Sequence, residues 1–168
     1  MLSRLRFNLG FLLEAGLGTS REIELNYPDI RVADDVRLAP LTGMFQVTRT
    51  SEGIYFNGQL ASIIQVECTR CLDPTQLPIE IVFEELFYYP PSTAPAGANV
   101  IPEEGIVDLA PLVRELSLLE VPIQVYCRPD CQGLCPECGE NLNNGPCDCQ
   151  HDTVDPRLSV LKSLLSNQ

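Results

Sequence analysis

The sequence predicts an α+β fold: an antiparallel β-meander or partial barrel with one packed helix, a cysteine-rich C-terminal segment and a short terminal helix. Three observations carry this reading. Long runs of period-two alternation lie between residues 41 and 83, one apolar stretch at helical spacing follows Asp108, and cysteine is concentrated near the end. The chain of 168 residues is 45% hydrophobic and 20% charged. That is the composition of a packed globule long enough to bury a core without disulfides, and not of a disordered acidic chain.

The elements follow in order. Two arginines, Arg4 and Arg6, precede an apolar stretch that Asn8 and Gly10 interrupt and Glu14 ends. This lacks the form of a signal peptide, and no run approaches the roughly 20 apolar residues of a membrane span, so a cytoplasmic protein without membrane contact is expected. Residues 21–27 are the first clean alternation. Phe45 and Val47 alternate with polar neighbours, and Ser51-Glu52-Gly53 supplies a hairpin turn. Ile54, Phe56, Leu60, Ile64 and Val66 then share one face, opposite Asn57, Gln59, Gln65 and Glu67, with Gly58 marking a bend or bulge. A turn holding Cys68 and Cys71 leads to a strand with Leu77, Ile79, Ile81 and Phe83 inward. Residues 89–105 hold several prolines without periodicity and predict a mobile loop. Asp108 predicts an N-cap for a helix with Leu109, Leu112, Val113, Leu116 and Leu119 on one side, which Pro122 stops. Residues 121–126 predict a short strand. Asp155 and Pro156 open a terminal helix whose apolar face is Leu158, Leu161, Leu164 and Leu165. The domain reading places a sheet core with its helix in 1–126 and a metal-binding tail with the terminal helix, packed on that core, in 127–168.

The formal net charge is −12 and the pI about 4.3. Sequence-independent nucleic-acid binding works through basic patches that release counterions, which this balance opposes. No glycine-rich phosphate loop is present, and with His151 as the sole histidine a Ser-His-Asp or Cys-His centre has no context. Glu84-Glu85 and Glu103-Glu104 read as solvated faces. No enzyme emerges.

Of eight cysteines, six lie between Cys127 and Cys149. In a chain without an export signal such clusters read as metal ligands before disulfides. Cys135-Pro136-Glu137-Cys138-Gly139 has the form of a zinc knuckle, in which backbone amides aim at sulfur and the glycine permits the tight bend. The pairing with most local pairs gives two zinc ions. One takes Cys135, Cys138, Cys147 and Cys149; the other takes Cys68, Cys71, Cys127 and Cys131 and closes the loop between hairpin tip and tail. Four sulfurs per site with no open position point to structure over catalysis. Disulfides, an iron–sulfur cluster and a redox Cys68–Cys71 pair are the competing readings, and His151 reads as a solvated residue. Arg70 and Arg128 sit beside the cysteine pairs, either neutralising thiolate charge or reaching a partner's phosphate or carboxylate.

Cys68-Thr69-Arg70-Cys71-Leu72-Asp73-Pro74, the Asp108-Leu109 helix start, Gly133-Leu134-Cys135-Pro136-Glu137-Cys138-Gly139-Glu140-Asn141-Leu142-Asn143 after Cys127, and Asp155-Pro156-Arg157-Leu158 occur in that order. From about Leu41 onward the chain resembles the YceD family. That family is described as metal-binding, as a candidate for nucleic-acid binding, and as needed for accumulation of large-subunit ribosomal RNA. The resemblance implies a factor in ribosome biogenesis whose partner is a ribosomal protein, a pre-ribosomal particle or ribosomal RNA. The acidic charge raises a second possibility, an interaction protein that holds a basic ribosomal protein without touching RNA.

Overall fold

The alternating runs form one open antiparallel sheet in the computed structural model, which describes residues 5–149. The elements in chain order are β1 (Arg6–Asn8), α1 (Gly10–Leu13), β2 (Ser20–Tyr27), β3 (Ile30–Arg31), β4 (Arg37–Arg49), β5 (Gly53–Glu67), β6 (Pro74–Tyr88), β7 (Ile106–Asp108) and α2 (Ala110–Leu119). The sheet order is β2-β4-β5-β6, with β3 also pairing β4. Every neighbour is antiparallel, so the meander is as predicted. β2 and β6 are not paired, and the sheet does not close into a barrel. The predicted terminal helix and His151 lie outside the described residues. No helix among the described residues is long and apolar enough to cross a membrane.

Each long strand buries alternate residues, as period two requires. Phe45 and Val47 of β4, Ile54, Phe56 and Leu60 of β5, and Ile81 and Phe83 of β6 all face the core. Phe45 is the centre of a ring cluster, edge-on to Phe7 at 5.3 Å and 6.1 Å from both Phe56 and Phe83. α1 packs on β4 and β5, and α2 on β6, so one layer of helix and strand covers this face. Three successive cross-strand rows of the opposite face are Glu22–Gln46–Asn57–Glu84, Glu24–Met44–Gln59–Val82 and Asn26–Thr42–Ala61–Glu80.

Several local expectations need correction. Gly58 is no bulge: it pairs in unbroken register with Phe45 and Phe83, and the one register shift lies between Leu38 and Leu41 of β4. A Cβ at Gly58 would meet Phe45 Cβ at 2.3 Å and the Phe83 ring at 2.9 Å. The missing side chain is the space in which those two rings close over the sheet. Gly58→Val is expected to cost about 3 kcal/mol and to lower the melting midpoint by about 10 °C. Gly16→Ala, where a Cβ meets nothing within 4 Å, should leave it almost unchanged. Equal midpoints for the two variants would contradict the close approach.

The predicted strand at 121–126 is irregular backbone: Val121 N–H donates to Leu118 O of α2 and Val125 O accepts from Thr69 N–H, so these groups pair with the helix end and the β5-β6 hairpin tip and not along a strand ladder. The helix begins at Ala110, one residue past the predicted start, with Asp108 Oδ1 accepting from the Ala110 N–H at 2.9 Å. The proline-rich segment is anchored at its end, where Tyr88 N–H donates to Asn99 O and Ile101 N–H to Tyr88 O, and Ile101 is fully buried. The N-terminal segment, which shows no clear periodicity, supplies β1 to pair with β7, and it buries Leu5, Leu9 and Leu12.

Candidate metal centres

β5 and β6 stay paired up to Glu67 and Pro74, so residues 68–73 form the hairpin tip. Cys68 N–H donates to Asp73 O and Leu72 N–H to Cys68 O, both at 2.9 Å. Leu72 takes the left-handed conformation (φ 61°) that the tight turn demands. The later chain is tied to this tip on two sides. Val125 O accepts from Thr69 N–H at 2.8 Å and Thr69 Oγ1 at 3.0 Å, and Leu134 N–H donates to Arg70 O at 3.0 Å. Between those ties lie Cys127 and Cys131.

The sulfurs of Cys68, Cys71, Cys127 and Cys131 all lie within 4.8 Å of one another. Cys68 and Cys131 are 3.8 Å apart, and Cys71 and Cys127 3.6 Å. A tetrahedron with metal–sulfur bonds of about 2.3 Å has edges of about 3.8 Å, whereas a disulfide requires about 2.05 Å. None of the eight cysteines is joined in a disulfide. Burial opposes ionisation of Cys68, yet the backbone N–H groups of Cys71, Arg70 and Cys127 hold its pKa at about 6. Asn143 Nδ2, donating to the Cys131 sulfur at 3.4 Å, brings that thiol down as well, against burial. Cys71 moves up although the Asp73 backbone N–H favours its thiolate, because burial and the Cys68 sulfur outweigh that donor. Cys127 rises through burial and the Cys131 and Cys68 sulfurs. The set is built to carry thiolate, but its members cannot all ionise side by side without a cation among them. The donor set therefore fits a soft or borderline dication.

The second set is Cys135, Cys138, Cys147 and Cys149, also within 4.8 Å of one another. Its knuckle has the predicted form. Cys138 and Glu137 N–H both donate to the Cys135 sulfur at 3.4 Å, lowering that thiol to about 6. Gly139 has φ 76° and donates to Cys135 O at 2.9 Å, a conformation costly for residues with a Cβ. The Cys138 sulfur pushes Cys149 up to about 12.

A short turn joins the sets. Leu142 N–H donates to Gly133 O at 2.9 Å and Cys135 N–H to Glu140 O at 2.8 Å. Asn143 Oδ1 accepts from Gln132 N–H at 2.9 Å and from Arg128 Nη2 at 2.8 Å, while its Nδ2 reaches both the Cys131 sulfur and Asn141 Oδ1. Asn141 Nδ2 returns to the hairpin tip at Asp73 Oδ2, 2.8 Å away. Sequence reasoning missed both asparagines; the run Asn141-Leu142-Asn143-Asn144-Gly145 after a knuckle was the available signal.

Arg70 and Arg128 both come to the first sulfur set. Arg70 Nη1 donates to Cys131 O at 2.9 Å with its guanidinium 4.2 Å above the Tyr126 ring. Arg128 bonds Asn143 and lies 3.4 Å from Asp130. Each thus braces a loop of the site. Of the acid pairs read as solvated, Glu84, Glu103 and Glu104 are exposed, whereas Glu85 is half-buried and accepts from Asn99 at 3.3 Å.

Residues 56–165 match the family described as large ribosomal RNA subunit accumulation protein YceD. An uncharacterized protein of Mycobacterium tuberculosis (strain ATCC 25618 / H37Rv) is 36% identical over 125 residues, which cover 71% of this chain and 59% of the relative. The chain thus spans about three-fifths of the length of that mycobacterial relative. Uncharacterized protein YlbN of Bacillus subtilis is 28% identical over 85% of this chain and 84% of its own. The Arabidopsis thaliana protein named large ribosomal RNA subunit accumulation protein YCED homolog 1, chloroplastic, is 36% identical over 38% of this chain and 20% of its own. No solved structure matches at a significant level.

Proposed function

Because this chain belongs to the YceD family of large ribosomal RNA subunit accumulation proteins, we propose that it serves that accumulation by binding, without catalysis, as a factor shaped by two zinc ions. Cys68, Cys71, Cys127 and Cys131 would hold one ion and Cys135, Cys138, Cys147 and Cys149 the other. The carrying observation is that each set gathers four sulfurs within 4.8 Å. A cage that tight has room for a single ion and not for a multi-iron cluster. Four thiolates complete a tetrahedral site and leave no position for a reacting water, which is the pattern of structural zinc. Bound zinc would neutralise thiolate charge and crosslink the hairpin tip to residues 127–131. The chain's own groups do the rest: backbone N–H donors keep Cys68 and Cys135 thiolate-like, and Asn143 orients Cys131.

Burial argues against redox use of the first pair. Cys68 is fully buried and Cys71 is 3% exposed, so neither offers an accessible nucleophile. A cytoplasmic setting, which keeps thiols reduced, suits cysteines that form no disulfide. The partner is a ribosomal protein or a pre-ribosomal particle. The net charge of −12 opposes a broad contact with ribosomal RNA, and the basic locus of Arg70 and Arg128 would reach only a few phosphates. Deleting the gene is expected to lower large-subunit ribosomal RNA. Wild-type protein should restore it, and a Cys71→Ser/Cys131→Ser double variant should not. Unchanged RNA after deletion would contradict the function, and full restoration by the double variant would remove the metal from it.

A further inference from the structure

We propose that the outer face of the β2-β4-β5-β6 sheet docks a lysine- and arginine-rich polypeptide segment. The inner face is covered by α1 and α2, whereas no described element packs on the outer one. Its central row carries Met44 and Val82, 57% and 60% exposed, two apolar side chains that a lone sheet face leaves in water. Glu22 and Glu24 border that centre on β2, and Glu80 and Glu84 border it on β6. No lysine or arginine stands in the three rows.

The arrangement selects among occupants. β2 and β6 are three strand spacings apart, about 14 Å, so the carboxylates frame the face and do not converge on one ion. Phosphates of a nucleic acid would meet only repulsion there. A basic polypeptide fits both parts. Its long aliphatic stems lie over Met44 and Val82, and its charged ends reach the bordering glutamates. Central amides assist: Asn57 Nδ2 donates to Glu84 Oε1 at 3.0 Å and Gln59 Nε2 to Glu80 Oε1, which holds the β6 carboxylates on this face, turned toward β5. The inference names the partner chemistry for the binding role above and rests on that role, but it uses neither metal centre.

The test titrates the full-length protein into a fluorescein-labelled peptide of alternating arginine and alanine, read by anisotropy at low salt. The combined variant Glu22→Gln/Glu24→Gln/Glu80→Gln/Glu84→Gln is compared with Glu14→Gln/Glu103→Gln/Glu104→Gln/Glu120→Gln, which removes the same charge from exposed positions elsewhere. The sheet variant should raise Kd about tenfold or more and the control less than about threefold. Met44→Ser/Val82→Ser should raise Kd several-fold with charge unchanged. Equal weakening by both glutamate variants would overturn the proposal, because net charge alone would then explain binding. Failure of the wild-type protein to bind would also overturn it, and if that protein still restores ribosomal RNA, the binding role stands and only this surface is lost.

Discussion

Removing metal from the full chain with a thiol-competing chelator is expected to unfold residues 127–149 first, leaving β4, β5 and β6 folded. A thiolate site does not pre-exist in the unfolded chain, so metal binding energy becomes folding energy, on the order of 10 kcal/mol. Around 127–149 little else resists unfolding. The buried residues beside the sulfurs form a small separate cluster, Cys68, Cys71 and Cys131 with Leu134 against it. The sheet has its own core, with Phe45, Phe56, Leu60 and Ile81 at most 1% exposed. Hydrogen exchange should therefore show amides of 127–149 losing protection on chelation while those of β5 keep it. Simultaneous loss in both regions would mean that the sheet depends on the metal, and unchanged protection would mean that no metal supports the tail.

The second large effect separates the two sites. Cys68→Ser removes a fully buried sulfur that joins the hairpin tip to Cys131. It is expected to cost roughly 4 kcal/mol or more and to lower the melting midpoint by about 10 °C. Cys147→Ser acts in the second set, all of whose ligands fall within residues 135–149. Its loss should loosen the knuckle and leave the main transition within about 3 °C of wild type. Scanning calorimetry of both variants, with bound metal counted, checks the difference. Equal shifts with no metal lost from either would refute both the pairing and its energetics.

What could be read from the sequence depended on how far each signal extends along the chain. β5 was legible because its faces differ in every second residue over a long run, from Ile54 inward to Glu67 outward. The two cysteine sets were legible because sulfur is costly to leave idle and each set consists of sequence-local pairs. β1 and β7 are too short to show a period, and their pairing joins Arg6 to Asp108 across most of the chain. Leu5, Leu9 and Leu12 have helical spacing, but Asn8 and Gly10 between them conceal it, and only Gly10–Leu13 is helical. At Gly58 the missing side chain was visible, while the rings that fill its place come from two other strands. The asparagine run after the knuckle marks a turn, but Asn141 and Asn143 find their partners only once the knuckle lies against the hairpin tip.

On the function proposed above, two closed four-sulfur sites each hold one zinc. This occupancy is tested most directly by counting metal on protein purified without chelators, by native mass spectrometry with elemental analysis of the same sample. Two zinc ions per chain are expected, falling to one in Cys147→Ser with the first set still filled. Iron in place of zinc, or a metal-free chain that folds and melts as the loaded one does, would contradict that occupancy.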